Sequence, residues 1–143
     1  FIAPDKAYAA GAIDGTRVLM ATLGGKPTTV VYKPTGSGKP YVFESPVRKS
    51  PFQYVAIEPT VTFTVANGTG DYMVTAVIPW SVLEIQPSKG LKLKGDIGML
   101  FGNADGVTIG QRVQWVDKET NTVKDEPTEA EFFPAKWGTF NLK

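Results

Sequence analysis

Residues 60–78 read TVTFTVANGTGDYMVTAVI, two alternating runs split by Asn67-Gly68 and Thr69-Gly70. A side-chain period of two is a strand signal, and no helix keeps it. In the first run Val61, Phe63 and Val65 share one face and the threonines share the other, which predicts a strand with one wet face. Asn-Gly followed by Thr-Gly predicts a hairpin closing onto Tyr72. In the second run Met73, Thr75 and Val77 lie on one face and Tyr72, Val74, Ala76 and Ile78 on the other, which predicts a central strand buried on both faces. Pro79 cannot donate to a ladder and ends that strand, and Trp80 is expected to fold over the end of the core. Ser81 with Glu84 three residues on has the form of a capping box, and Pro87 with Gly90 limits the helix to about one turn.

The same vocabulary recurs along the chain. Short runs rich in Val, Thr, Tyr and Phe sit between Gly, Pro, Asn and Asp, and no long segment keeps a helical period. The expected strands are 17–23, 28–33, 41–44, 54–65, 72–78, 96–102, 111–116 and 137–142. Residues 33–40, KPTGSGKP, read as a mobile hairpin loop, and residues 1–15 as a loop that enters the domain partway. Eleven prolines and fifteen glycines in 143 residues supply the many turns that sandwiches need. The fold class is therefore all-β, an antiparallel β-sandwich of jelly-roll type in one domain spanning 1–143.

Composition narrows the chemistry. The chain has no Cys and no His, which removes a disulfide framework, a thiolate nucleophile, an imidazole base and the usual zinc sites. Fifteen basic against fourteen acidic residues leave no bulk field for nucleic acid or anionic lipid, and no apolar run approaches membrane-spanning length. Neither nucleic acid nor membrane insertion is expected.

Several local patterns have ordinary explanations. Trp80 and Trp137 read as core residues. Asn103-Ala104-Asp105-Gly106 offers oxygens to a calcium ion but is first of all a turn. GSGKP fails as a phosphate loop, because Pro40 replaces the Ser/Thr and Lys33 stands at the first glycine position. Asn67-Gly68-Thr69 fits a glycosylation sequon, yet Asn-Gly is already explained by the hairpin. Asp117, Glu119, Asp125, Glu126, Glu129 and Glu131 read as a solvated acidic loop in preference to a glycosidase pair. Arg112 and Gln114 alternate away from Val113 and Trp115, so each pair shares a strand face.

The segments YMVTAVIPWSVLEIQPSKGLKLKGDIGMLFGNADG, GQRVQW and DEPTEAEFFPAKWGTFNL, in that order, resemble the C-terminal part of the family 9 carbohydrate-binding modules and their DOMON-like relatives. The resemblance covers roughly residues 72–143. It rests on an apolar-Pro-Trp triplet closing a strand, a Gly-Asp-apolar-Gly strand start, a strand ending in Trp, and a closing Pro-x-x-Trp-Gly. It implies a non-catalytic sugar-binding sandwich attached to exported polysaccharide-degrading enzymes, in a secreted, cell-surface or periplasmic setting. It also implies that Arg112 and Asn121 hydrogen-bond a sugar, with Gln114 and Trp115 beside them. The stacking tryptophan that follows the Asn in sugar binders falls here at Val123 or a neighbour, and the second stacking ring has no counterpart. Each absent ring removes roughly 1 kcal/mol of stacking.

Family members begin with strands that residues 1–15 do not supply on this reading, so the chain is expected to be part of a longer polypeptide or to receive strands from another chain. Three functions follow as expectations: a carbohydrate-binding module, a structural or assembly module of an extracellular complex, and a haem-binding DOMON-like domain. The third would need Met20, Met73, Met99 or a Lys as axial ligand. No cofactor other than a possible calcium ion is expected.

Overall fold

The segment TTVVYK places Thr29, Val31 and Lys33 on one face and Val30 and Tyr32 on the other, and its flanks supply strands that pair with it on both sides. In the computed structural model, which describes residues 1–37, 39–44, 49–105, 109–118 and 132–143, this strand is the spine of the molecule. Strand β3 (Lys26–Lys33) lies between β2 (Arg17–Leu23) and β6 (Tyr54–Ile57), antiparallel to both. A second three-stranded sheet has the order β1 (Ile2–Pro4), β9 (Lys92–Gly95), β12 (Gly138–Asn141), and pairs residues far apart in sequence, such as Ile2 and Gly138, with the same Gly95. Three antiparallel pairs complete the described strands: β4 (Tyr41–Glu44) with β5 (Lys49–Phe52), β7 (Thr62–Asn67) with β8 (Tyr72–Val77), and β10 (Gly98–Gly102) with β11 (Ile109–Gln114). The fold is all-β and antiparallel, with one-turn helix α1 (Trp80–Leu83) and a 3-10 turn at Pro134–Lys136. No helix among the described residues is long and apolar enough to cross a membrane.

Both faces of β3 are covered. On one face Val31, 0% exposed, packs with Val61 and Val82, flanked by Val18, Tyr54 and Ile78. On the other, Tyr32 and Val55 meet a cluster of Ala3, Phe52, Phe132 and Trp137, so β1 and the chain leading into β12 close over this side. That cluster is held by aromatic edges. Phe52 meets Tyr32, Phe43 and Phe132 at ring-centroid distances of 5.7, 5.5 and 5.5 Å, and Phe1 meets Phe132 and Trp137 at 5.3 and 5.2 Å. All but the tilted Phe1–Trp137 pair meet edge to face, and such contacts contribute about 0.5–1.5 kcal/mol each beyond the burial of area.

The structure corrects several sequence expectations. The strand with neighbours packed on both faces is β3, with Thr29 and Val31 buried on one side and Val30 and Tyr32 half-buried on the other; every residue of β8 is exposed, and β8 pairs only with β7 among the described strands. Hydrophobicity on both faces of 72–78 does not secure burial, because apolar side chains can equally remain uncovered where no layer packs on them. The run 54–65 is two strands, broken at 58–61. There the Glu58 N–H donates to the Thr29 carbonyl, and the Thr29 hydroxyl to the Val61 carbonyl. Residues 1–15 include strand β1, too short to read locally because its pairing is entirely with β9 and a bridge to Thr16. The connection 33–40 is no hairpin loop, since β3 pairs with β2 and β6 while β4 pairs with β5.

At α1 no capping box forms. Pro79 occupies the N-cap, while Glu84 takes a left-handed conformation at the C-cap and bonds Lys33. Trp80 is exposed, and the residues that turn inward are Val82 and Leu83. The hairpin at Asn67-Gly68 forms as its sequence predicts, with Asn67 opposite Tyr72 and the Gly68 N–H donating to the Asp71 carbonyl.

The turn before β2 is fastened by a polar cluster. The Tyr8 hydroxyl donates to the Pro4 carbonyl at 2.9 Å and the Asp14 carboxylate at 3.2 Å; Asp14 also accepts from the Gly15 N–H and pairs with Lys6. Burial, then the Asp14 charge and hydrogen bond, push the Tyr8 phenol up from 10.0 to about 12. Because the folded value lies above the unfolded one, the stabilisation is full below pH 10.0 and is lost as pH rises towards about 12. An alkaline absorbance titration, read as the difference between the native chain and Tyr8→Phe, is expected to show one late-ionising tyrosine, and Asp14→Asn is expected to bring it back towards the ordinary value.

The burial pattern gives a second expectation. Phe52→Ala removes a ring that is 4% exposed and is expected to cost about 3–5 kcal/mol in urea unfolding, whereas Met73→Ala, at a residue 68% exposed on β8, should stay within about 0.5 kcal/mol of the parent. Comparable losses for the two would overturn the assignment of β3 as the spine.

Candidate functional site

Strand β11 alternates Arg112 and Gln114 against Val113, with Trp115 just past its end, and its antiparallel partner β10 sets Leu100 opposite Arg112 and Gly98 opposite Gln114. Arg112, Gln114 and Leu100 line a cavity of about 300 Å³, faced across the space by Phe1, Arg17 and Leu19. A Cβ at Gly98 would come within 2.4–2.7 Å of the Gln114 amide, so the missing side chain lets the amide lie across the hairpin, and a larger residue would displace it. Arg112 is 7% exposed. Burial holds its guanidinium below the ordinary value.

Arg17 was not singled out in the sequence, although a charged residue on the Arg17–Leu19 face of an otherwise apolar strand is the available signal. Its guanidinium sits 5.5 Å from the centroids of both the Phe1 and Tyr32 rings. Cation–π contacts at this distance suit the weakly hydrated guanidinium. Burial lowers its pKa most; Tyr32 opposes that shift and the neighbouring Arg112 charge adds to it.

Trp115 does not line the cavity. Its ring stacks on Phe140 of β12, with centroids 5.1 Å apart and planes 24° apart, and it remains 48% exposed. A Cβ on Gly138 would stand 2.7 Å from the Trp115 ring and 2.9 Å from Val116, so the Trp-Gly step that opens β12 makes room for this stack. The structure thus brings Arg112 and Gln114 together and places Trp115 on the opposite face of β11. Asn121 lies outside the described residues, as do Val123, Gly106 of the Asn103-Asp105 turn, and Glu119, Asp125, Glu126, Glu129 and Glu131. Among the described residues no group of three or more acidic side chains is placed to hold a metal ion. Met20 and Met99 are half-buried on β2 and β10, and Met73 is exposed on β8.

The hairpin is anchored by Asp96, which is 3% exposed. Its Oδ1 accepts from the Ile97 and Val116 N–H groups at 2.8 and 3.0 Å, and its Oδ2 accepts from the Asp117 N–H at 2.9 Å. One carboxylate therefore ties the entry of β10 to the exit of β11 and holds the pair that carries Arg112 and Gln114. In the Gly-Asp-apolar-Gly motif, Asp96 is the fastening and Gly98 the space beneath Gln114. Comparison with protein-family models, curated proteins and solved structures gives no match.

Asp96→Asn keeps the shape but turns an amide NH₂ towards an N–H donor. It is expected to cost about 1.5–3 kcal/mol in urea unfolding, the range for hydrogen bonds to a charged group, and to broaden the amide NMR signals of Val116 and Asp117 first.

Proposed function

We propose that this chain is a non-catalytic carbohydrate-binding module of an exported protein, with the sugar seated between β2 and the β10–β11 hairpin. The observation that carries the reading is the convergence of Arg112 and Gln114, alternate residues of one strand, on a single cavity with apolar Leu19 and Leu100 beside them. A sugar presents hydroxyls in the plane of its ring and C–H groups on its faces, so it is matched by a few polar donors set among apolar side chains. Guanidinium and amide groups supply the donors. The resemblance of residues 72–143 to family 9 modules points the same way, and Trp115, being on the other face, is assigned to packing on β12 and not to the sugar.

A second reading is favoured by a different observation. Met73 and Val77 on one face of β8, and Tyr72 and Val74 on the other, are all exposed, and Tyr72 touches only the edge of Phe101 at 6.3 Å among aromatic rings. A strand with apolar residues on both faces and no second partner among the described strands suits strand addition from another chain, as an assembly module would use.

Affinity electrophoresis through gels containing soluble polysaccharides tests the first reading. At least one polysaccharide is expected to retard the chain, and Arg112→Ala, its fold checked by circular dichroism, should weaken that retardation by about tenfold or more, as loss of a charge-assisted hydrogen bond implies. Unretarded migration through neutral and acidic polysaccharides alike, with concentration-dependent association in sedimentation, would reject it in favour of the second.

A further inference from the structure

We infer that a second cavity, of about 350 Å³ on the Val31 face of the β3–β6 pair beside helix α1, binds a neutral sugar ring through two of its adjacent hydroxyls; the inference rests on the carbohydrate reading above for the class of ligand and adds a site. Among the described residues this cavity shares no lining side chain with the one between β2 and the β10–β11 hairpin. The register sets Lys33, the last residue of β3, opposite Tyr54, the first of β6, and α1 brings Ser81 and Glu84 to the same space. The buried side chains of Val31 and Val82 give it an apolar base.

Glu84 carries the inference. Among the described residues it is the one non-glycine residue with positive φ, at φ 56° and ψ 34°. The Glu84 N–H donates to the Ser81 carbonyl and the Ile85 N–H to the Trp80 carbonyl, a helix ending whose left-handed position glycine fills without strain. A side chain there is a standing cost to the fold. Glu84 does pair with Lys33, but its side chain is 68% exposed, and ion pairs so open to water contribute little to stability. Strain that the fold does not need points to a use for the carboxylate at this cavity.

The groups around Glu84 select the ligand. Lys33 Nζ lies 5.6 Å from the centroid of the Tyr54 ring and pairs with Glu84, so a cation and an anion stand side by side with their charges cancelled. An ammonium has several donors and a carboxylate several acceptor positions, so the pair can stay intact and still bond a ligand. Adjacent hydroxyls of a sugar match it, one donating to the carboxylate and the next accepting from the ammonium. The hydroxyls of Ser37 and Ser81 line the same space, and the half-buried Tyr54 ring offers apolar surface to the C–H groups of the sugar. Glu58 also lines it, accepting from the Thr60 N–H and hydroxyl. With Glu58 and Glu84 against Lys33, the described lining is net acidic, which disfavours an acidic sugar.

Amide NMR of the intact chain, titrated separately with glucose, galactose, mannose and glucuronate, tests the inference. At least one neutral sugar is expected to move the signals of Lys33, Tyr54, Thr60 and residues 81–84 together, and glucuronate to move them less. Glu84→Gly removes the carboxylate and relieves the left-handed strain. Its urea midpoint should equal or exceed the parent's while its affinity for that sugar falls about tenfold or more, as loss of a charge-assisted hydrogen bond implies. Unchanged affinity in Glu84→Gly would overturn the inference and leave Glu84 a structural partner of Lys33; the map of shifts on the native chain stands however that variant folds. Shifts confined to the amides around Arg17, Leu100 and Arg112 would overturn it and keep the carbohydrate reading. Larger shifts with glucuronate than with every neutral sugar would overturn the neutral ligand, and no shift with any sugar would overturn both the inference and the reading beneath it.

Discussion

A strand buried on both faces obliges the chain to supply a layer on each side, and β3 sets that obligation here. Val31 and Tyr32 are neighbours in sequence but belong to different clusters. Towards Val31 the chain sends the 58–61 turn and helix α1, each with a valine to bury. Towards Tyr32 it sends a wall of rings, with Phe52 from β5, Phe132 and Trp137 from the approach to β12, and Phe1 beside β1. The aromatic side is the more consequential, because the same rings that close the core also clamp Arg17. Packing and candidate site therefore share residues. Tyr32 is at once a core side chain and one wall of the guanidinium slot.

The site depends on a second device, the Asp96 carboxylate. Three backbone N–H groups, one at the entry of β10 and two past the exit of β11, converge on it at one end of the pair, so a single buried acid sets where β11 leaves its sheet. Arg112 and Gln114 then inherit their direction from the two-residue period of the strand. Several residues of this region have a structural reason in the molecule. Asp96 holds, Gly98 and Gly138 make room, Pro134 and Trp137 are buried in the turn before β12, and Trp115 lies flat on Phe140. These residues specify the frame of the hairpin, while the far wall of the cavity includes Arg17 from β2.

Local patterns made the strands legible. Residues 17–23 and 41–44 appear with the bounds their alternation and flanking turns suggest, and the hairpin between Asn67 and Tyr72 forms with Gly70 in the left-handed region. Less legible was anything set by pairing at a distance. Strand β1 is three residues long and exists through Gly95, Lys94 and Leu93, so nothing within residues 1–15 marks it. Burial of β8 was misread because alternation and apolar content report what a strand can bury, while the presence of a covering layer is a fact of tertiary structure. For the site, the period placed Arg112 with Gln114 on one face, but no local signal could bring Arg17, roughly a hundred residues earlier, to the same cavity.

The sheet of β1, β9 and β12 joins residues 2–4, 92–95 and 138–141. Closing such contacts costs chain entropy before any of the reward arrives, which places this sheet late on the folding path and makes folding slow for a chain of this size. During synthesis Phe1 and Ala3 are made well before their covering residues Phe132 and Trp137. The aromatic cluster thus stays open until residues 132–141 arrive, and it is in that interval that the molecule has most need of a chaperone.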